Sequence, residues 1–190
     1  MLLIGCSAGG FDLLVKLLLQ IPKDFPVPVV VVIHRNRKYK SSMEELLHKK
    51  SSLIVKLAED KEQIKKGYIY FAPSDYHLLL EPDHTFTLDF SEPVFYCRPS
   101  IDVTFESVSD VYFEKVIGIL LSGANQDGAQ GMYHIEKNKG LVIAQDPKSA
   151  EMSTMPEAAI AKCKTIFILK NEELIEFINQ IVTIKSNAIN

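Results

Sequence analysis

The stretch Met1-Leu2-Leu3-Ile4-Gly5-Cys6-Ser7-Ala8-Gly9-Gly10 decides the fold. Its apolar start, Met1–Gly5, reads as a buried strand, and Gly9-Gly10 then opens an amphipathic segment from Phe11 to Gln20. A strand that turns through small residues into a helix is the first half of a βα unit. Leu3-Ile4-Gly5-Cys6 also has the look of a lipoprotein cleavage box. However, no basic region and no apolar stretch of about 7–15 residues precedes it, so the strand reading holds.

Outward from this unit the pattern repeats. Val29–Ile33 is an unbroken aliphatic run of the kind buried on both faces of a parallel sheet. A polar helix is expected over Ser42–Lys50 with Ser42 as cap, and strands over Leu53–Leu57 and Tyr68–Phe71. Leu78–Leu80 and Phe86–Leu88, split by Glu81-Pro82-Asp83-His84, read as a hairpin. Pro99 suits the first turn of a helix running to about Glu114, its N-terminus helped by Ser100 and Asp102. Strands at Val116–Leu121, Leu141–Ala144 and Thr165–Leu169 alternate with helices at Asp127–Lys137, Met155–Ala161 and Glu172–Val182. The expected fold is a three-layer, Rossmann-like, doubly wound α/β domain over residues 1–190. Its sheet is mostly parallel with an antiparallel hairpin at the edge, and 183–190 form a tail.

Composition narrows the function classes. At 47% hydrophobic and 24% charged residues, the 190-residue chain is neither disordered nor fibrous. A formal charge of −3 argues against general nucleic-acid binding, which needs a basic face. No apolar run approaches the roughly 20 residues of a membrane span. Three cysteines, Cys6, Cys97 and Cys163, lack metal or disulfide spacing and suit reduced cytoplasmic thiols. His48, His77, His84 and His134 show no metal-binding spacing.

Ligands of an open parallel sheet bind beyond the carboxyl ends of its strands. Ser7 follows the first strand, within a G-x-S-x-G pattern (Gly5-Cys6-Ser7-Ala8-Gly9) that fits an exposed serine on a tight turn. A phosphate-binding or purely structural turn fits the motif equally. His34 directly follows an entirely apolar strand, where an imidazole without a purpose is awkward. Three carboxylates, Asp75, Asp127 and Asp146, also follow strands. Asp127 has a slight edge because Gly123, Gly128 and Gly131 let its loop approach other backbone, although it could equally cap the next helix. These are the ingredients of a Ser/His/Asp triad. Their order, serine then histidine then acid, is not that of an α/β-hydrolase. Arg35, Arg37, Lys38 and Lys40 form a basic cluster after His34, suited to an acidic surface or a phosphate, and Arg98 could orient a substrate carbonyl or serve a structural ion pair.

Seven stretches in order resemble the catalytic domain of the chemotaxis protein-glutamate methylesterases: Ile4–Gly10, Val31–His34, Ala72–Leu78, Arg98–Asp102, Leu121–Ala129, Ala144–Pro147 and Met155–Ala159. The resemblance implies hydrolysis of glutamyl methyl esters on chemoreceptors. In some members it extends to deamidation of receptor glutamines, the same acyl chemistry with ammonia leaving. It implies Ser7 as nucleophile, His34 as base and Asp127 as acid, with an oxyanion received by N–H groups near Ala8 and Ala124 and no metal or cofactor. Its partners would be a methylated chemoreceptor and a receiver domain or other signalling protein, since typical members carry a receiver domain ahead of the first strand. The loop before the acid departs from the usual Gly-Met-Gly: Gly123-Ala124-Asn125 has less bulk and a stiffer backbone, which bears on rate and substrate choice. Two other readings stand beside the esterase. One is a non-catalytic module that binds receptors or signalling proteins. The other is a nucleotide site at the first turn, which lacks G-x-G-x-x-G and a P-loop.

Overall fold

Alternate side chains of the first two strands leave the sheet on opposite faces, and both faces are covered. The computed structural model describes residues 1–34 and 43–186. Strands β1 (Leu2–Cys6) and β2 (Val29–Ile33) frame helix α1 (Phe11–Gln20), and α2 (Met43–Lys50), β3 (Ile54–Leu57) and β4 (Tyr68–Phe71) follow. A hairpin of β5 (His77–Leu80) and β6 (Phe86–Asp89) leads to α3 (Ile101–Tyr112), which ends in a 3₁₀ turn at Phe113–Lys115. The chain closes with β7 (Ile117–Leu120), α4 (Ala129–Lys137), β8 (Leu141–Gln145), α5 (Thr154–Lys162), β9 (Phe167–Leu169) and α6 (Asn171–Ser186).

Seven strands form one sheet in the order β3-β4-β2-β1-β7-β8-β9. Every pairing in it is parallel. Leu2, Ile4 and Cys6 of β1, with Val29, Val31 and Ile33 of β2, pack against Leu14 and Leu17 of α1 and Leu174 and Ile178 of α6. Leu3, Val30 and Val32 point the other way, into a core shared with Phe105 of α3, Met132 of α4 and Met155 of α5. The period of two along each strand thus builds the helix–sheet–helix layering. From β1 the chain proceeds to β2 on one side, with β4 and then β3 beyond it, and returns on the other side with β7, β8 and β9, so the ends of β2, β1 and β7 flank the switch point where such sheets bind ligands.

The boundaries differ from the sequence reading in instructive places. The hairpin does not extend the sheet edge: it forms a sheet of its own. Leu78, Leu80 and Phe86 bury against α3 in the second core, and the Leu80 N–H donates to Ser107 Oγ of α3 (3.1 Å) where a neighbouring strand would have accepted it. The free edge of β6 is met by the preceding loop, through Lys61 N–H to Phe86 O (2.7 Å) and Phe86 N–H to Glu62 O (2.9 Å). Helix α6 continues through Ser186, beyond the expected end at Val182. The basic cluster Arg35–Lys40 and the cap at Ser42 lie outside the described residues.

Candidate active site

At the carboxyl end of β1 the chain leaves the sheet at Ser7 and re-enters regular structure four residues later, at Phe11 of α1. The turn needs Gly9: its φ is +74°, and a Cβ there would stand 2.5 Å from Glu151 Cβ. Ser7, half-buried, donates its N–H to Ser122 O (2.9 Å), beyond the end of β7. On the other side Cys6 pairs in register with Ile33, and the His34 N–H donates to Cys6 O (3.3 Å). Ser7 and His34 are therefore neighbours one step past the last paired residues of adjacent strands. Cys6 itself faces the core, fully buried, with its thiol pushed up to about 12 by burial, and is no rival nucleophile.

His34 Nε2 and Asp127 Oδ2 are 2.7 Å apart, with side chains 8% and 0% exposed. Of the three carboxylates left open by the sequence, Asp127 is the one bonded to His34. Asp75 lines the same cleft as His34, and Asp146 accepts the Lys148 N–H (3.0 Å) in its own turn. Asp127 does not cap the helix that follows it. Its Oδ1 accepts Ser100 Oγ–H (2.8 Å) and the Asp102 N–H (2.9 Å), and its Oδ2 also accepts the Ile101 N–H (2.7 Å). The carboxylate thus closes the N-terminus of α3, a site favourable to an anion. Asp102 returns the arrangement, its Oδ1 accepting the N–H groups of Gly128 (2.8 Å) and Gly131 (2.7 Å) at the start of α4. Gly128 permits this crossing at φ +97°, where a Cβ would stand 2.5 Å from Leu120 Cδ1. Two helices are each capped by a carboxylate from the other's side.

These contacts set the charges. Burial opposes ionisation of Asp127, but the His34 bond and the α3 amides outweigh it and hold the carboxyl below its ordinary value. Asp102 is pushed up to about 7 by burial, with Asp127 adding to the effect. Burial pulls His34 down, yet the Asp127 bond, the nearby Cys97 sulfur and the charge of Asp127 raise it from 6.5 to about 9. Its Nδ1 is buried and, among the described residues, has no hydrogen-bond partner.

The remaining candidates divide. Ala8 and Ala124 are exposed in the loops after β1 and β7, and among the described residues neither N–H meets an acceptor. Arg98 lines the cleft, but its guanidinium stacks over the Phe90 ring (3.8 Å) and donates to Phe90 O (3.2 Å) and Ser91 O (2.7 Å). It holds the 90–98 loop. His77 supports the same loop, accepting the Ser100 N–H at Nδ1 (3.1 Å) and donating from Nε2 to Glu92 O (3.1 Å).

Ser122 escaped the sequence reading, which took Cys97 only as a reduced thiol and Asn125 only as a departure from the usual loop. Asn125 Nδ2 donates to Cys97 Sγ (3.4 Å) and its Oδ1 accepts the Asp127 N–H (3.1 Å), so the residue that departs from Gly-Met-Gly ties the acid's loop to the cleft wall. Ser122 Oγ donates to Ala8 O (2.8 Å) and accepts the Met152 N–H (2.9 Å), joining three loops. The available signal was position: Ser122 and Asn125 follow a buried strand. Cys97 carried none. A cleft of about 450 Å³ lies over His34, walled by Tyr96, Cys97 and Arg98.

An imidazole–carboxylate pair beside a serine-bearing turn thus lies at the carboxyl edge of a parallel sheet, where doubly wound α/β domains place their ligand sites. Residues 2–178 match the family described as CheB methylesterase, and the chain belongs to that family. A Leptospira interrogans relative is 43% identical over 92% of this chain and 91% of its own length. A protein-glutamate methylesterase/protein-glutamine glutaminase of Thermotoga maritima is 35% identical over 92% of this chain and 53% of its own, so the chain spans about half of that relative. The crystal structure of the Thermotoga maritima CheB methylesterase catalytic domain superposes with a TM-score of 0.84, at 34% identity over 93% of this chain and 97% of that one. Among the described residues no helix is long and apolar enough to cross a membrane.

Proposed function

We propose that this chain removes methyl groups from glutamyl methyl esters of chemoreceptor proteins, and deamidates receptor glutamines, through Ser7, His34 and Asp127. The observation that carries the reading is the 2.7 Å bond from a buried aspartate to the one histidine that neighbours Ser7. Asp127 holds Nε2, so Nδ1 is the nitrogen left for the serine, the reverse of the serine-protease assignment.

In this mechanism neutral His34 takes the Ser7 hydroxyl proton at Nδ1 as Oγ adds to the ester carbonyl. The N–H groups of Ala8 and Ala124 receive the oxyanion. Collapse expels methanol, which takes its proton from Nδ1 and leaves a seryl ester. Water, deprotonated by the same nitrogen, then releases the glutamate and restores Ser7. With glutamine the leaving group is ammonia. Asp127 stabilises the imidazolium at both stages without itself being protonated.

The test is methanol release from a methylated receptor fragment. Ser7→Ala is expected to lower kcat by about 10³-fold or more with the melting temperature unchanged. A fluorophosphonate probe is expected to label the wild type at Ser7. Activity in Ser7→Ala within about tenfold of wild type would sink the assignment.

A further inference from the structure

Between Val94 and Cys97 the cleft wall makes a two-residue reversal. The Val94 N–H donates to Cys97 O (3.1 Å) and the Cys97 N–H to Val94 O (2.8 Å). Its central residues, Phe95 and Tyr96, have φ of 47° and 62°. Turns with both central residues at positive φ favour Asn-Gly, because a Cβ is strained there. Two aromatic residues are therefore the wrong choice for the backbone.

They are also the wrong choice for burial, since Phe95 is 48% and Tyr96 103% exposed. Neither folding preference nor core packing accounts for the pair. Strain that the surroundings maintain marks functional positions. The surroundings here are specific: Arg98 clamps Phe90 and Ser91, His77 holds Glu92, and Asn125 bonds Cys97 at the turn's base. Tyr96 lines the same cleft as His34, and Phe95 lines an adjoining cavity with Gln126 and Ala158.

Resting on the proposed methylesterase reading, we infer that the Phe95–Tyr96 tip is the substrate-gripping element of this enzyme, laying its rings on the receptor surface around the scissile ester. The occupant is a protein surface because Tyr96 lines the cleft of His34 yet keeps its side chain wholly in solvent, where a surface larger than one ester side chain can meet it. A rigid aromatic anchor loses little conformational freedom on contact and offers large apolar faces to a protein partner. Tyr96 is a specificity-determining residue in this account and does not act on the reacting atoms.

The deciding variant is the double substitution Phe95→Asn/Tyr96→Gly, which supplies the residues the turn prefers and so preserves its fold. Two substrates are compared on the intact protein: a methylated receptor fragment, by methanol release, and p-nitrophenyl acetate. The ratio of kcat/KM for receptor over small ester is expected to fall about tenfold, through KM for the receptor. Tyr96→Phe should restore most of the ratio relative to Tyr96→Ala. An unchanged ratio in the double variant overturns the inference, as does a parallel fall on both substrates, which would mean the turn acts through His34. Failure of the underlying reading shows separately and earlier, as wild-type protein that releases no methanol.

Discussion

On one side of the cleft Asp127 is fully buried, with its two oxygens meeting His34, Ser100 and two amides of α3; on the other, the Val94–Cys97 turn holds Tyr96 entirely in solvent on backbone that resists it. The first wall is over-determined by polar satisfaction, because removing any member leaves a buried donor or acceptor unmatched. The second has little to lose on folding and much to offer a partner. Errors in the acid wall should therefore appear in turnover and stability together, and errors at the Phe95–Tyr96 tip in substrate choice.

The sharpest way to break that contrast is Asp127→Asn. An amide in this place must turn its NH₂ toward the α3 amides or toward His34, and either choice sets a donor against a donor. Nε2 loses the acceptor that fixes the tautomer, so kcat for methanol release is expected to fall by about 10⁴-fold. A loss of less than about tenfold would mean that His34 works without its acid.

Asp102 tests the same wall by stability. Its carboxyl is raised from 3.8 to about 7 in the folded state, so the folded protein favours the neutral form. Its contribution is full below about 3.8 and is withdrawn as pH rises through about 7. Asp102→Asn keeps an oxygen for Gly128 and Gly131 but cannot ionise. Denaturant unfolding should find it more stable than wild type at pH 8, by about 1–3 kcal/mol, with no gain near pH 4. Asp102→Ala leaves two buried N–H groups without an acceptor and should cost about 1–3 kcal/mol near pH 4. Equal pH profiles for Asp102→Asn and wild type would show that the carboxylate carries no such penalty.

The two walls also differ in how far they were legible in the sequence. The places of Ser7 and His34 just past β1 and β2 were readable because their signals are local: a strand running into small residues, and a polar residue ending an aliphatic run. Asp127 could not be told from Asp75 and Asp146, since the choice depends on where the N-terminus of α3 lies, 26 residues away along the chain. For the same reason the capping roles came out crossed. Asp127, for which a cap of α4 was the alternative reading, serves α3, while the side chain of Asp102, expected to help α3, serves α4. The hairpin pattern identified two strands but not their sheet, because alternation specifies a buried face and not the element that covers it. The rim was illegible throughout: nothing in Phe95-Tyr96 announces a positive-φ turn, and their residue types argue against one.

The smallest expected effect lies where the two walls meet, at Cys97. Burial alone would lower His34, and the Asp127 bond and the Cys97 sulfur together raise it from 6.5 to about 9. A general base must first be deprotonated, so kcat/KM in the wild type should climb with pH along a limb near 9. The imidazolium also stabilises the fold, fully below about 6.5 and progressively less as pH rises through about 9. Cys97→Ala removes the rim's share and leaves the Asp127 bond, so the limb should move down by roughly 0.5–1 pH unit. Asn125→Gly, which frees the sulfur from its amide partner, should move it less. A limb unmoved in Cys97→Ala would assign the raised basicity to Asp127 alone and make the rim electrostatically silent. A wild-type limb near 6.5 would go further, because the buried pair would then not hold the proton at all.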